Sequence, residues 1–164
     1  MEPEQASNAT EHFAAIGRVA EGWASLELLI DMSSWRLAGL VPHVGAALTS
    51  QIGGAQRKLD ALFSLAKYRD APPQLLKKLN KFSESVRGLQ ELRNRIVHDP
   101  WVTVGDAPHR FEVSGRKVAK VEGIFMPTSE VNQISDHITD AWVAMVKIHD
   151  DLKEIAPPSP DTPT

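Results

Sequence analysis

Apolar residues recur every three or four positions in four long stretches of this chain. That spacing places them on one side of an α-helix, because one turn takes 3.6 residues. The stretches cover about residues 9–37, 44–69, 73–98 and 128–155, and glycine or proline separates each from the next. Four amphipathic helices with mostly short connections predict an all-α fold, an antiparallel four-helix bundle.

Local signals indicate where three of these helices begin or are interrupted. Asn8, followed three residues later by Glu11, is typical of a capped helix start. Gly53 and Gly54 lie in the middle of the second stretch, where each costs about 1 kcal/mol relative to alanine. Either a close approach of another helix or a local kink would explain them. Pro73 suits the first position of the third helix.

The periodicity changes between the third and fourth stretches. Short runs within residues 101–126 alternate apolar and polar side chains, as at 102–104 and 111–113, and turn-forming pairs stand at 105–106 and 114–115. This pattern predicts a small β-hairpin, or a loosely paired insert, between helices three and four. Thr128 or Ser129 then caps the start of the fourth helix.

Composition limits the kinds of site that this chain can hold. Cysteine is absent, so there is neither a disulfide framework nor a thiolate metal site. Five histidines outside the third helix lack a common metal-ligand spacing, namely His12, His43, His109, His137 and His149. We therefore expect no metal and no cofactor.

The ends of the chain and its hydropathy bear on its location. Residues 1–8 are polar, unlike a signal peptide, and residues 157–164 are rich in proline. Both ends are predicted to be disordered around a helical domain of residues 9–156. No apolar run is long enough to cross a bilayer, so we expect no membrane contact. The absence of cysteine fits a cytoplasmic protein, which is the expected location.

The charge of the chain is unevenly distributed. The net charge of -3 argues against tight DNA binding, and no specific DNA binding is expected. Residues 67–98, however, contain eight lysines and arginines against three acidic residues. This region either attracts a polyanion locally or forms a solvated helix face of mixed charge.

The end of the third helix combines three side chains that can process a phosphodiester. Arg93 can clamp a phosphate and stabilise developing charge, because its guanidinium is a planar fork of donors. His98 can act as general base or acid near neutral pH. Asn94 can orient the imidazole or the phosphate. Together they predict a catalytic site for RNA cleavage by the substrate's own 2′-hydroxyl, without a metal.

Helix geometry restricts how these three side chains meet. Asn94 and His98 are four residues apart and share a face. Arg93 precedes His98 by five residues, which separates the two by roughly 140° around an ideal helix. The three therefore converge if Arg93 reaches round, if the last turn loosens, or if a two-fold dimer brings two helix ends together. Alternatively, His98 caps helix carbonyls and Arg93 is a plain surface cation.

Two further charged residues are candidates for supporting roles. Glu27, beside the apolar stripe of the first helix, would reach Arg93 as an orienting carboxylate or simply solvate the helix boundary. Arg95 is expected to pair with Glu91, four residues earlier on the same helix.

Arg93-Asn94-x-x-x-His98 near the end of the third of four helices resembles the arginine–polar–x-x-x–histidine motif of the HEPN superfamily. Residues 23–27 (Trp-Ala-Ser-Leu-Glu) and the β insert also resemble one group of small bacterial HEPN-like proteins. The resemblance covers about residues 9–155, of which the short motif is the specific part. It implies a homodimeric, metal-independent endoribonuclease, often a toxin or defence component. In other members it implies a non-enzymatic module that binds nucleotide, phosphate or a protein.

One position departs from the pattern of HEPN toxins. Those paired with a nucleotidyltransferase antitoxin often carry a tyrosine two residues after the histidine, where this chain has Pro100. The one tyrosine, Tyr68, lies in the second predicted helix. This departure argues against pairing with a nucleotidyltransferase antitoxin and against tyrosine modification at the motif. The partners that the resemblance implies are a second copy of the chain and RNA, with an antitoxin protein as a further candidate.

Overall fold

The computed structural model describes residues 3–104, 107–114 and 120–158. These residues form five helices and three strands: α1 (Pro3–Ala38), α2 (Pro42–Thr49), α3 (Ala55–Tyr68), α4 (Pro73–His98), β1 (Trp101–Val104), β2 (Ala107–Ser114), β3 (Lys120–Phe125) and α5 (Thr128–Lys153). The chain is thus mostly helical, as predicted. The finer prediction of four helices with a hairpin is corrected to five helices with a three-stranded sheet. The predicted disorder of residues 159–164 lies outside the described residues.

The chain divides into two compact units. The first comprises Met1–Trp23 and Leu89–Thr139, and the second comprises Ala24–Gly88 and Asp140–Thr164. The start of α1, the end of α4, the sheet and the start of α5 belong to the first unit. The candidate motif therefore lies wholly in the first unit, because it occupies the last six residues of α4.

The second predicted helix is two helices. α2 ends at Thr49 and α3 begins at Ala55, and Gly54 caps α3 with a φ of 79°. A residue with a side chain adopts that angle at a cost, whereas glycine adopts it freely. The Gly53-Gly54 pair is therefore a break in the helix rather than a place of close helix approach.

The first helix begins earlier than predicted. It starts at Pro3, a residue whose fixed φ suits the first turn. No proline or glycine follows until Gly17, so nothing in the sequence stops the helix from including Asn8. Asn8 is therefore not a helix cap, and the predicted start near residue 9 is wrong.

The buried face of α1 in the first unit also differs from the predicted stripe. Phe13, Ile16, Ala20 and Trp23 recur at helical spacing, which predicts that Phe13 is buried. His12 is instead 4% exposed, whereas Phe13 is 59% exposed. Ala15 and Val19 are buried on one face of α1. The residue three positions before Ala15 on that face is His12 rather than Phe13. A polar residue at a core position therefore shifted the apparent stripe by one residue.

The sheet is antiparallel with strand order β1-β2-β3. Val104 pairs with Ala107, and Ser114 pairs with Lys120. β1 therefore ends at the first predicted turn pair, and β2 ends within the second. The residues at 105–106 and 115–119 lie outside the described part of the chain. The residues just before α5 form a third strand, so the insert is a three-stranded sheet rather than a hairpin.

Both units contain buried apolar residues. In the first unit the buried apolar residues include Ala15, Val19, Trp23, Ile96, Met126, Val131, Ile134 and Ile138. In the second they include Leu26, Ile30, Leu37, Leu59, Leu62, Leu75, Leu79, Phe82, Val86, Met145, Ile148 and Leu152. The helical stripes predicted from the sequence supply most of these residues.

Gly45→Ala is expected to destabilise the protein by about 1–3 kcal/mol. Gly45 of α2 is buried, and a Cβ added there would overlap the indole ring of Trp35. That indole is held in place because its Nε1 donates to Oγ1 of Thr49 at 3.1 Å. Urea unfolding of the two proteins, followed by circular dichroism, measures the difference in the free energy of unfolding.

Gly17→Ala is the matched control for this substitution. Gly17 lies within α1, is exposed, and has no atom within 4 Å of an added Cβ. Alanine there should stabilise the protein by about 0.5–1 kcal/mol, because glycine loses more backbone entropy in a helix. The same sign of change in both variants would contradict the close packing of Gly45 against Trp35.

Candidate functional site

Arg93 occupies a core-facing position of α4 although its side chain is charged. It follows Leu89 by four residues and precedes the buried Ile96 by three, so it falls on the apolar stripe. The residue is half-buried, and its Nε is buried without a hydrogen-bond partner among the described residues. The stem of Arg93 therefore contributes to the packing while its guanidinium extends away from the helix axis.

Asn94 and His98 lie on the exposed side of the same two turns. Nη1 of Arg93 donates to Oδ1 of Asn94 at 3.1 Å and lies 3.2 Å from Nε2 of His98. The structure therefore brings the three predicted residues together within one chain. Arg93 reaches round the helix, so their convergence does not require a dimer.

The contact between Arg93 and His98 determines which ring nitrogen accepts. A guanidinium has five donors and no acceptor, so Nε2 of His98 must accept this hydrogen bond. This contact corresponds to the tautomer that carries its proton on Nδ1. The lone pair that a general base would use is thus held by the guanidinium in this arrangement.

The residues after the motif anchor the end of α4. The indole Nε1 of Trp101 donates to the carbonyl oxygen of Ile96 at 2.8 Å, and the backbone N–H of Asp99 donates to the carbonyl of Arg95 at 3.1 Å. These bonds satisfy carbonyl groups that a helix end otherwise leaves unpaired. The position of His98, which lies between Ile96 and Trp101, is therefore fixed on both sides.

A cluster of charged side chains joins the helix end to the sheet. Arg110, whose side chain is 7% exposed, donates from Nη1 to Oδ2 of Asp99 and lies 3.4 Å from Oε2 of Glu112. Arg95 donates to the same Glu112 oxygen at 3.1 Å. The expected pairing of Arg95 with Glu91 is thus corrected, because a carboxylate on β2 takes its place. Arg95 secures the sheet against α4 rather than contacting the motif.

Sequence reasoning missed the contributions of Asp99, Trp101 and Arg110. The position of Arg110 opposite Trp101 could have been predicted from the turn-forming pair at 105–106. A two-residue connection between antiparallel strands sets Val104 opposite Ala107 and therefore Trp101 opposite Arg110, as observed. That register places the guanidinium of Arg110 beside the residues that follow the motif.

Glu27 belongs to the second unit, whereas Arg93 belongs to the first. Glu27 lies 3.9 Å from Nζ of Lys58 on α3, which also donates to Oδ2 of Asp31 at 2.7 Å. This contact provides a local electrostatic role for Glu27. Its predicted role as an orienting carboxylate for Arg93 stays a prediction.

The basic residues of the predicted polyanion-binding region are divided between the two units. Arg93 and Arg95 belong to the first unit, and the other six belong to the second. Of those six, Lys78 pairs with Asp151 at 2.6 Å, and Nε of Arg69 donates to the carbonyl of Leu37 at 2.8 Å. Part of the positive charge counted in the sequence therefore has a structural partner.

Comparisons of the chain with models of protein families, with curated proteins and with solved structures found no match. Among the described helices, none is long and apolar enough to cross a membrane.

Proposed function

We propose that this protein is a metal-independent endoribonuclease of the HEPN type whose site is the exposed end of α4. The observation that supports this proposal is the convergence of Arg93, Asn94 and His98. One guanidinium nitrogen lies within 3.2 Å of both the amide oxygen and the imidazole nitrogen. A cation that binds phosphate and a group that transfers protons therefore stand side by side on an exposed surface.

The proposed reaction uses the substrate's own nucleophile. The 2′-hydroxyl oxygen attacks the adjacent phosphorus, and the bond from phosphorus to the 5′-oxygen breaks. The proton leaves the 2′-hydroxyl for a base, and the departing 5′-oxygen takes one from an acid. The products end in a 2′,3′-cyclic phosphate and a 5′-hydroxyl, so no water or metal is needed in this step.

Arg93 has two functions in this scheme. Before RNA binds, it holds Nε2 of His98 through the 3.2 Å contact. A phosphate competes for the guanidinium because its charge is opposite and because it can accept two parallel hydrogen bonds from the planar fork, whereas one ring nitrogen accepts a single bond. Phosphate binding therefore frees the imidazole lone pair, and the guanidinium then stabilises the extra charge on the phosphate oxygens.

A homodimer would complete the acid–base chemistry. Transfer of both protons calls for a base and an acid, and the motif of one copy contains one imidazole. A two-fold arrangement of two α4 ends would place His98 of each copy at one shared cleft. The homodimer is therefore proposed because cleavage needs a second imidazole. The contact between Arg93 and His98 forms within one copy and does not need the dimer. A protein antitoxin covering this cleft would make the enzyme a regulated toxin or defence component.

A non-enzymatic module that binds phosphate or nucleotide is the second candidate. The observation that favours it is that the lone pair of Nε2 is already engaged by Arg93. If this hydrogen bond persists when RNA binds, His98 positions the guanidinium and no proton is transferred. Such a protein would bind the same ligands without cleaving them.

The proposal is tested by incubating the purified protein with a single-stranded RNA in EDTA. We expect cleavage that leaves 2′,3′-cyclic phosphate ends, because the 2′-hydroxyl is the nucleophile. A matched RNA with 2′-O-methyl groups should stay intact, since its nucleophile is blocked. Product ends are identified by mass spectrometry.

Three results would contradict the nuclease. These are cleavage of the 2′-O-methyl RNA, a requirement for added magnesium, and products with 3′-hydroxyl ends. Binding of the RNA with no cleavage would instead support the non-enzymatic module.

A further inference from the structure

The first unit contains a surface cavity of about 660 Å³. Residues from the start of α1, all three strands and the start of α5 line it, and much of its wall is apolar. The aromatic and proline residues in the wall are Phe13, Trp101, Pro108, Phe125 and Pro127. Its size is within the range of sites that hold a small organic ligand.

Two aromatic rings in this wall are unusually accessible. Phe13 is 59% exposed and Phe125 is 56% exposed, although each could have packed into the core. Flat, exposed rings are the groups on which proteins stack flat ligands, above all the bases of single-stranded nucleic acids. The cavity therefore offers stacking surfaces rather than a purely aliphatic groove.

His12 adds a polar group to the same wall. The residue is 4% exposed, its Nδ1 lies 3.0 Å from Oγ1 of Thr128, and its Nε2 has no hydrogen-bond partner among the described residues. Burial lowers the pKa of His12, so the ring is neutral near pH 7. A neutral ring nitrogen donates or accepts according to its tautomer, and both kinds of partner occur on the edge of a nucleobase.

Trp101 connects this cavity with the proposed catalytic site. Its ring lies 4.6 Å from that of His12, centroid to centroid, and its Nε1 donates to the carbonyl of Ile96 in the last turns of α4. Trp101 follows His98 by three residues, so their Cα atoms are at most about 11 Å apart. A dinucleotide can span that separation.

The charge of the cavity wall favours the base of a nucleotide over its phosphate. Among the described residues that line it, Glu11 carries a charge and no lysine or arginine is present. A phosphate would be repelled, whereas an uncharged flat ring would not. Phosphate and base would thus be recognised at separate places, the first at Arg93 and the second in the cavity.

We propose that this cavity binds an unpaired base of the RNA whose phosphate is held at the end of α4. The inference deepens the proposed function and rests on it, because RNA is the source of the base. Phe13 and Phe125 would stack against the base, and His12 would form part of the wall beside it.

The test measures binding of the four nucleoside 5′-monophosphates by equilibrium dialysis, with ribose 5-phosphate as the probe that lacks a base. At least one nucleotide should bind more tightly than ribose 5-phosphate. Phe13→Ala and Phe125→Ala should each raise its Kd about 5- to 150-fold, which is the range for loss of one stacking contact. Tyr68→Ala, at an exposed aromatic residue outside this cavity, should leave Kd unchanged.

The inference is overturned if ribose 5-phosphate binds as well as every nucleotide, or if neither phenylalanine substitution changes the Kd. Nucleotide binding does not depend on cleavage, so the two proposals can fail separately. Binding that depends on Phe125 in a protein that cleaves no RNA would keep the base site and remove the nuclease. Cleavage by a protein that binds no base would do the reverse.

Discussion

His98→Ala is expected to lower the rate of RNA cleavage at least 100-fold, within the range of about 10²- to 10⁴-fold lost with a general acid or base. His98 supplies the imidazole of the motif, and its Nε2 lies 3.2 Å from Nη1 of Arg93. The residue is exposed, so the change in the free energy of unfolding should stay within about 0.5 kcal/mol. Single-turnover cleavage of a labelled RNA in EDTA measures the rate, and thermal unfolding measures the stability.

His137→Ala provides the matched control. His137 is also an exposed histidine, and it lies on α5 in the same unit, so its loss changes composition and charge without touching the motif. The His137→Ala variant should cleave at the wild-type rate. Because both variants are purified in the same way, a contaminating nuclease would not explain a loss of activity in His98→Ala alone. In cells, induced expression should arrest growth with the wild type and His137→Ala but not with His98→Ala. Equal cleavage by both variants would refute the role of His98.

The sequence was sufficient to predict both the helix that carries the motif and its first and last residues. Pro73 suits a first turn, Pro100 cannot continue a helix, and the apolar spacing between them is regular, so the predicted residues 73–98 match α4. Local rules were sufficient here because every signal indicated the same element.

Other elements depended on information that apolar spacing does not contain. The Gly53-Gly54 pair was compatible with a packed helix or a kink, and the positive φ of Gly54 is a property of the backbone. His12 took a core position because a hydrogen bond to Thr128, distant in sequence, offsets part of the cost of burying it. A third strand formed because residues 120–125 pair with β2, which is a tertiary contact.

The same distinction applies to the candidate site: the sequence identifies its residues, whereas their contacts depend on the folded structure. The three residues were identifiable from their chemistry and their place at a helix end. Their convergence was left open because the angle around a helix describes Cβ directions, whereas Arg93 has a long side chain that crosses that angle. The anchoring by Arg110 was accessible through the two-residue turn, because the strand register follows from it.

Arg110→Met is expected to destabilise the protein by about 3 kcal/mol, which corresponds to a fall in Tm of roughly 6–12 °C for a chain of this size. The side chain of Arg110 is 7% exposed and contacts the carboxylates of Asp99 and Glu112. Methionine fills a similar volume but leaves both carboxylates without this cation. Asp99 adjoins His98, so the loss should also loosen the end of α4 and reduce cleavage at temperatures where the protein stays folded.

Arg95→Met separates burial from charge as the cause. Arg95 pairs with the same Glu112 oxygen, but its side chain is 51% exposed, and an exposed pair of this kind contributes less than about 1 kcal/mol. Both variants remove one positive charge from the same cluster, so a difference in their free energies of unfolding measures the effect of burial. If Arg110→Met costs no more than Arg95→Met, then the buried guanidinium does not hold the helix end to the sheet. The hydrogen bond from Trp101 to the carbonyl of Ile96, together with the ring contact between Trp101 and His12, would then be the remaining anchor of the motif.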